Sequence, residues 1–298
     1  MPEKYQEFEA CTLCGSHNLS TLQGYAKAYL CKCINCNFVF VKRIPTDAEL
    51  QEHYSRYPRS FDISPITLKR YNELLNYFEK FKKTNRLMDI GSGNCLFLLE
   101  AKKRGWQVYG SDYEKNAVAI GEKNGIVMKH GKLDANWFDS GFFDVITSFE
   151  TIEHVNEPNH MIQQINLLLR KGGVVYLTTP NFGSIERYYL KADYNVIEYP
   201  EHLSYFSKGT MQKLLTQNGF EKLSLQTTGI SLTRLKTSWQ RKNKKPVTEL
   251  YTSNENTDEK IRNKIETNIF AQVSKKVINS LLTFAGTGNS IKATFIKK

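Results

Sequence analysis

The order of apolar and polar positions separates one long α/β region from its flanking segments. Between residues 86 and 230, short strand-like runs alternate with amphipathic stretches of helical period. The strand-like runs are RLMDI, QVYGSD, FFDVITSF and GGVVYLTTP, and a helix expected over EPNHMIQQINLLLRKGG, ending at Gly172, separates the last two. This alternation predicts an α/β fold with a Rossmann-like, doubly wound, mostly parallel sheet and helices on both faces.

The flanking segments have different patterns. Apolar residues recur at helical spacing in residues 46–85, which predicts a helical linker; they are Leu68, Tyr71, Leu74, Leu75 and Phe78. KGTMQKLLTQNGFEKLSLQTTG predicts another helix and strand, and the terminal FAGTGNSIKATFIKK predicts a last strand. We therefore expect a small module over 1–45, a linker over 46–85, a core over 86–230 and 279–298, and a basic insertion over 231–278.

Composition restricts the class of protein. Of the 298 residues, 40% are hydrophobic, which is typical of a chain that forms a core and argues against global disorder. The sequence contains no apolar run of about 18–20 residues, as a membrane span requires, and its start has no signal-peptide core. We expect a cytoplasmic protein without a membrane span, whose thiols are kept reduced.

The positive charge is concentrated towards the end of the chain. The formal net charge is +11, and from Ser231 onward there are 14 Lys and Arg against 5 Asp and Glu. A basic segment of this kind is either a solvated surface or a site for an anionic substrate, nucleic acid or membrane phosphate. The sequence leaves these alternatives open.

Four cysteines near the start have the spacing of a metal site. Cys11 and Cys14 form one CxxC pair, Cys33 and Cys36 form a second, and 18 residues separate the pairs. In a reducing compartment this spacing predicts a tetrahedral zinc site that is structural, because all four positions are filled. Buried or disulfide-linked cysteines are the alternative, and Cys31 could replace Cys33 as a ligand.

A glycine-rich turn follows the first strand of the α/β region. Gly91 and Gly93 let the backbone approach a ligand closely, and Asp89 just before them suits a cationic amino-acid ligand better than a pyrophosphate. Asp112 ends the next strand, where it can accept hydrogen bonds from both ribose hydroxyls. The loop lacks the third glycine that a nicotinamide-dependent dehydrogenase usually has.

These residues resemble the motifs of class I S-adenosylmethionine-dependent methyltransferases. The similarity extends over the FDVI strand at 143–146, Glu153-His154-Val155, the LLRKGG segment and Thr179-Pro180-Asn181, so that it covers roughly residues 86–230. It implies that S-adenosylmethionine is the cofactor. The residues it implies for cofactor binding are Asp89, Gly91, Gly93, Asp112 and Glu150. Cys95 is a departure, since it stands where the family often has a third glycine.

Two histidine-bearing segments are expected to line the acceptor side of the crevice. One is Ser148–His154, which follows the FFDVIT strand, and the other is Tyr199–Phe206. Histidine is suited to removing a proton near neutral pH, so His154 and His202 are candidate bases. Alternatively, His154 only caps or packs beside the following helix, and His202 is a surface residue.

The cysteine module, the methyltransferase core and the Tyr-x-Glu-His stretch together are similar to sugar C-methyltransferases, which act on nucleotide-linked keto-sugars. This resemblance implies that Tyr199 and His202 are acid/base residues supported by Glu201 and His154, and that an enolate attacks the methyl group. Those enzymes have a further C-terminal domain for the nucleotide sugar, and this chain is expected to be too short to contain it. The expected acceptor is a small sugar or polysaccharide precursor, nucleotide-linked or lipid-linked, methylated at carbon or oxygen.

Two other classes of function remain as alternatives. The zinc module and the basic insertion could bind RNA, which would make the protein a nucleic-acid methyltransferase, although no aromatic and basic RNA-binding motif is evident. A non-catalytic, zinc-stabilised interaction protein on the same scaffold is the third class. The sequence does not determine the oligomeric state.

Overall fold

The computed structural model describes residues 5–46, 49–50, 64–230 and 269–298. Most of the basic insertion expected over 231–278 therefore lies outside the described residues, as does part of the linker expected over 46–85.

The described elements follow the expected alternation. The strands are β1 (Leu19–Thr21), β2 (Leu30–Cys33), β3 (Val39–Val41), β4 (Arg86–Ile90), β5 (Gln107–Asp112), β6 (Val127–His130), β7 (Phe143–Phe149), β8 (Leu169–Pro180), β9 (Ser204–Tyr205), β10 (Phe220–Thr228) and β11 (Ser290–Lys297). The α-helices are α1 (Pro65–Phe78), α2 (Leu96–Lys103), α3 (Lys115–Lys123), α4 (Pro158–Leu168), α5 (Ile185–Leu190), α6 (Lys208–Gln217) and α7 (Ile269–Ala285). Each strand expected from the sequence is present, and β11 confirms the expected terminal strand.

The spatial contacts between residues divide the chain into two compact units. The first unit comprises residues 1–57, 180–210 and 226–291, and the second comprises 58–179, 211–225 and 292–298. This division differs from the expected one, because 180–210 belongs with the cysteine module rather than with the α/β core.

A seven-stranded sheet in the order β10-β11-β8-β7-β4-β5-β6 confirms the expected Rossmann-like fold. Five neighbouring strands of this sheet, β8, β7, β4, β5 and β6, pair in parallel. Ile90 pairs with Ser111 on one side and with Ser148 on the other, so the carboxyl ends of β4, β5 and β7 lie together. In open α/β sheets ligands bind at that edge.

One hydrophobic core of the second unit consists of apolar residues from the sheet and its helices. Leu75 and Phe78 of α1 are buried in it, in agreement with the helical pattern of the linker. The other buried members are Leu87, Cys95, Phe97, Leu98, Ala101, Trp106, Val108, Ile126, Met128, Val145 and Tyr176.

Helix α4 ends earlier than the sequence indicates. It ends at Leu168, and β8 starts at Leu169, three residues before Gly172, where the helix was expected to end. Arg170 is drawn into the sheet because its guanidinium pairs with the buried carboxylate of Asp144 on β7. Burial raises the pKa of Asp144, but the hydrogen bond from Arg170 and three from backbone N–H groups outweigh it and lower the pKa.

The first unit contains an antiparallel sheet in the order β1-β2-β3-β9. Strand β9 comes from residues 180–210 and pairs with β3, with Val39 opposite Tyr205. An apolar cluster joins both segments; its buried members include Tyr25, Leu30, Val39, Val41, Phe182, Leu190, Tyr194, Val196, Ile197, Leu203 and Tyr205. A module of 45 residues buries little apolar surface by itself, which explains why 180–210 packs with it.

The last helix crosses an expected boundary. The core was expected to resume at residue 279, yet α7 runs without a break from Ile269 to Ala285. In the described part of the chain, no helix is long and apolar enough to cross a membrane.

Candidate functional site

The glycine loop after β4 has the backbone conformation that its sequence indicates. Gly91 and Gly93 have φ values of 70° and 50°, in the left-handed region that favours glycine. A Cβ atom on Gly91 would clash with the side chain of Thr151, whereas one on Gly93 would meet nothing within 4 Å. The loop is thus closely packed behind Gly91 and open beside Gly93.

Asp112 is fixed at the end of β5 by backbone donors. Its Oδ2 atom accepts a hydrogen bond of 2.9 Å from the N–H of Gly93, and its Oδ1 atom accepts one of 2.9 Å from the N–H of Glu114. A carboxylate only accepts hydrogen bonds and can accept about four of them, which is the chemistry that a diol requires. The same side chain holds the glycine loop in place.

Asp89 is the most strongly perturbed carboxyl group near the loop. It is 3% exposed, and its Oδ1 atom accepts a hydrogen bond of 2.7 Å from the hydroxyl of Thr147 on β7. Burial raises the pKa of Asp89 to about 8, and the charge of Asp112 acts in the same direction. A nearby cation would favour its ionised form.

The remaining residues of the expected cofactor set lie at the same edge of the sheet. Glu150 follows β7 with a φ of 46°, its side chain is exposed, and its N–H donates to the carbonyl of Thr178. Cys95, which replaces a third glycine, has a φ of 58° and is fully buried. All five expected cofactor residues belong to the second unit, where they follow or end three adjacent parallel strands.

The loop after Glu150 contains a buried carboxylate that sequence reasoning did not single out. Glu153 lies in a short 3-10 turn, Ile152–His154, and is buried. It accepts a hydrogen bond of 2.9 Å from the hydroxyl of Thr179 at the end of β8. This contact ties the loop bearing His154 to the sheet. Glu153 and Thr179 stand in two separate sequence motifs, and neither motif predicts the hydrogen bond between them.

Tyr199 has a hydrogen-bond partner that the sequence did not indicate. Its hydroxyl donates to Oε2 of Glu49 at 3.3 Å. Glu49 also pairs with Arg43, whose guanidinium lies 5.2 Å from the ring centre of Tyr199 and 3.2 Å from that of Tyr5. Burial and the charge of Glu49 raise the pKa of Tyr199 to about 12, so the phenol is protonated at neutral pH.

His202 is held in one tautomer. Its Nδ1 atom lies 2.7 Å from the carbonyl oxygen of Val196, which accepts hydrogen bonds only. Nδ1 therefore carries the proton in the neutral ring, and the proton-accepting lone pair is on Nε2. Glu201 is buried, with Oε1 4.0 Å from that Nε2 atom.

The expected catalytic residues divide between the two units. Tyr199, Glu201 and His202 belong to the first unit, in the segment that packs with the cysteine module, and His154 belongs to the second. Within the first unit, Tyr199 and His202 are three positions apart and have different hydrogen-bond partners, Glu49 and Val196.

The four cysteines expected to bind metal converge. The Sγ atoms of Cys11, Cys14, Cys33 and Cys36 all lie within 4.8 Å of one another, and Cys11 and Cys36 are 3.5 Å apart. A tetrahedral zinc with Zn–S bonds of about 2.3 Å places its sulfurs about 3.8 Å apart, so this spacing fits. Cys31 is not part of the group, which favours Cys33 over Cys31 as a ligand.

Each cysteine pair lies on a tight turn of the same design. The N–H of Gly15 donates to the carbonyl of Cys11 at 2.8 Å, and the N–H of Asn37 donates to that of Cys33 at 2.9 Å. Gly15 and Asn37 have φ values of 73° and 62°. Glycine and asparagine are the residues that most readily take this conformation, so the local sequence explains both turns.

Comparison with known proteins agrees with this geometry. A family model described as a methyltransferase domain matches residues 65–225. A ubiquinone biosynthesis O-methyltransferase of Pseudomonas aeruginosa is 27% identical over 134 residues, which cover 43% of this chain and 56% of the relative. One from Cupriavidus pinatubonensis is 25% identical over 151 residues, 47% of this chain and 59% of the relative. The chain thus spans somewhat more than half the length of these curated relatives.

The fold has solved counterparts as well. The crystal structure of a SAM-dependent methyltransferase from Archaeoglobus fulgidus superimposes with a TM-score of 0.50 at 17% identity, covering 85% of this chain and all of the other. At that identity the likeness concerns the fold alone. The family match covers more than half of the chain and includes the glycine loop, Asp112 and the Glu153 loop. The chain therefore belongs to the class I S-adenosylmethionine-dependent methyltransferases.

Proposed function

We propose that the protein transfers a methyl group from S-adenosylmethionine to a small, sugar-derived acceptor. The assignment of the cofactor rests on the carboxylate of Asp112. This carboxylate lies at the end of the strand next to the glycine loop, where the N–H of Gly93 fixes it by a hydrogen bond. In this proposal Asp112 accepts from the ribose hydroxyls. Gly91, Gly93 and Asp89 face the methionine portion, whose ammonium group would favour the ionised form of the buried Asp89.

The chemistry needs little from the protein besides position and a base. An oxygen or carbon nucleophile of the acceptor attacks the methyl carbon, the bond from that carbon to sulfur breaks, and S-adenosylhomocysteine leaves as a neutral thioether. The acceptor loses one proton in the process. We assign that proton to Nε2 of His202, since the carbonyl of Val196 holds the ring in the tautomer with its lone pair there.

Tyr199 has a supporting role in this proposal. Its proton is hydrogen-bonded to Glu49, and its raised pKa means that the phenolate is scarcely populated near neutral pH. The phenol therefore positions the acceptor, while Glu201 supports His202 and His154 is the reserve candidate for the base. Zinc bound by the four cysteines would stabilise the first unit without taking part in the reaction, because four thiolates fill a tetrahedral shell.

A phenolic acceptor is the second candidate. The curated relatives are O-methyltransferases of ubiquinone biosynthesis, and this observation favours an oxygen nucleophile. Their similarity covers under half of this chain.

The test is a transfer assay with S-adenosylmethionine labelled in the methyl group. The protein is incubated with separate pools of nucleotide-linked sugars, lipid-linked sugars, phenolic quinone precursors and RNA, and the label in each pool is measured. We expect label in a sugar pool, and none with the Asp112→Ala variant. Label in the phenolic pool alone, or in RNA alone, would replace the sugar proposal.

Binding of the cofactor is measured separately by calorimetry with S-adenosylhomocysteine. Loss of the Asp112 hydrogen bonds should weaken binding by about 1.5–3 kcal/mol. Tight binding of a nicotinamide dinucleotide, without binding of S-adenosylhomocysteine, would refute the cofactor assignment whatever the acceptor.

A further inference from the structure

Helix α7 turns an apolar stripe towards solvent. Val273, Val277, Leu281 and Phe284 are exposed, Leu281 by 63% and Phe284 by 91%. At about 100° per residue these four positions fall within an arc of about 80° on the helix. A continuous stripe of large apolar side chains is therefore in contact with water.

The opposite side of the same helix holds it to the protein by hydrogen bonds. The hydroxyl of Thr283 donates to the carbonyl of Thr227 at 3.0 Å, and the hydroxyl of Thr227 donates to the carbonyl of Leu282 at 2.7 Å. The N–H of Gly229 donates to the side chain of Asn279 at 2.9 Å. A surface helix ordinarily buries its apolar stripe and exposes its polar side, so the orientation of α7 is reversed.

Helix α5 adds aromatic residues to the same region of the first unit. The N–H of Ile185 donates to the carbonyl of Thr287 at 3.1 Å, which places the start of α5 beside the turn that follows α7. Ile185, Tyr188 and Tyr189 are all exposed. The outward apolar surface is defined here as these three residues together with Val273, Val277, Ile278, Leu281 and Phe284 of α7.

Two exposed lysines lie on the elements that form this surface. Lys276 is exposed on α7, about 60° around the helix from Val273, and Lys191 is exposed just after α5. Residues 269–291, the part of the first unit that contains α7, include two lysines and no Asp or Glu. This charge complements a negatively charged surface.

We propose that the outward apolar surface docks on an anionic lipid bilayer. Aliphatic side chains, aromatic rings and flanking lysines are the combination that lies in a membrane interface, with apolar groups at the acyl boundary and ammonium groups at the lipid phosphates. Tyrosine suits this position because its ring is apolar and its hydroxyl is polar. Helix α7 is about 25 Å long and lies along the surface in this arrangement. The docking is independent of the acceptor's identity.

The test is sedimentation of the full-length protein with vesicles of phosphatidylcholine containing phosphatidylglycerol, compared with vesicles of phosphatidylcholine alone. We expect binding to the anionic vesicles, weaker binding to the neutral ones, and release at high salt. A Leu281→Glu/Phe284→Glu variant should reduce the partition coefficient by about tenfold or more, because two large apolar side chains are replaced by carboxylates. Leu167→Glu on α4 is the matched control, as Leu167 is an exposed leucine of the second unit.

Circular dichroism and S-adenosylhomocysteine binding establish that the variants are folded. If the double variant does not fold, the Tyr188→Ser/Tyr189→Ser variant on α5 should independently reduce the binding to anionic vesicles. Absence of binding to either kind of vesicle would overturn the proposal, as would an equal loss in Leu167→Glu. A concentration-dependent dimer that the double variant abolishes, without vesicle binding, would identify a second copy of the chain as the occupant instead.

Discussion

The imidazole Nδ1 atom of His202 lies 2.7 Å from the carbonyl oxygen of Val196, six residues earlier in the chain. Because a carbonyl only accepts, this contact selects the tautomer with its lone pair on Nε2. We predict that His202→Ala lowers kcat by about 100- to 10,000-fold, the usual contribution of a general base, and leaves S-adenosylhomocysteine affinity nearly unchanged.

A matched control exists for this variant. His17 is an exposed histidine whose Nδ1 atom also lies near a carbonyl, that of Glu9, at 3.2 Å. His17→Ala should retain wild-type turnover. Wild-type turnover in both His202→Ala and Tyr199→Phe would move the role of base to His154.

The two glycines of the cofactor loop should respond differently to the same substitution. Gly91→Ala places an alanine in the left-handed conformation, which lowers the free energy of unfolding by about 1–2 kcal/mol, and it also creates a clash with Thr151. Gly93→Ala has only the first of these effects on the unbound protein, because nothing lies within 4 Å of its Cβ. We predict that Gly91→Ala loses more stability in urea unfolding, whereas Gly93→Ala loses cofactor affinity with little further loss of stability.

Thr151→Ala offers a check on that interpretation. Combined with Gly91→Ala it removes the two atoms of Thr151 that the new methyl group meets most closely, Oγ1 and Cγ2, and leaves only Cβ at 3.0 Å, so part of the lost stability should return. No recovery in the double variant would mean that backbone strain, rather than the contact with Thr151, dominates.

The burial of Asp89 makes stability depend on pH. Its pKa in the folded protein is about 8, against an ordinary value of 3.8. Between these values the folded chain holds a proton that the unfolded chain has released, so this contribution is complete below about pH 4 and is lost as pH rises through about 8. We predict that Asp89→Asn flattens this decline and raises the free energy of unfolding at pH 8 by a few kcal/mol, at about 1.4 kcal/mol per pKa unit.

Chemical denaturation of the cofactor-free protein between pH 4 and pH 8 measures this slope. Asp139→Asn is the control, because Asp139 is exposed. Equal slopes for wild type and Asp89→Asn would contradict the prediction. The same substitution should weaken binding of S-adenosylmethionine if Asp89 serves its ammonium group.

The cysteine cluster predicts one zinc per chain, measured by elemental analysis of the purified protein. Cys14→Ser should lose the metal, since three thiolates and a hydroxyl bind zinc less well than four thiolates. Cys31→Ala should keep it, because Cys31 lies on β2 outside the group of four. Absence of stoichiometric metal from the wild-type protein would refute the site.

The α/β core could be predicted because its strands are long, apolar and separated by clear helices. In β7 (Phe143–Phe149) six of the seven residues are buried, and its sequence consists largely of apolar and β-branched residues. The conformation of the glycine loop could also be predicted, because only certain residues accept the φ values of Gly91 and Gly93. Patterns that arise from local backbone chemistry can be read from one sequence.

The first unit was harder to predict because its organisation depends on distant pairings. Strand β9 has two residues, too few for a period, and pairs with β3 more than 160 positions earlier. The contact between Tyr199 and Glu49 joins residues 150 positions apart. No local signal marks Glu49 or Arg43, whereas Glu201 stands beside His202 in the sequence and could be predicted as a supporting carboxylate.

The pairing of strand β9 with β3 makes residues 180–210 depend on the cysteine module for their structure. Val39 and Phe40, which follow the second cysteine turn closely, pair with Tyr205 and Ser204, just beyond His202. Deleting residues 1–45 as a detachable tag would strip β9 of its partner and expose the apolar side chains around Tyr194 and Leu203. If the four cysteines bind zinc as proposed, a chelator should in the same way loosen the segment bearing Tyr199 and His202, and methyl transfer should become sensitive to zinc supply without any direct role of the metal in the reaction.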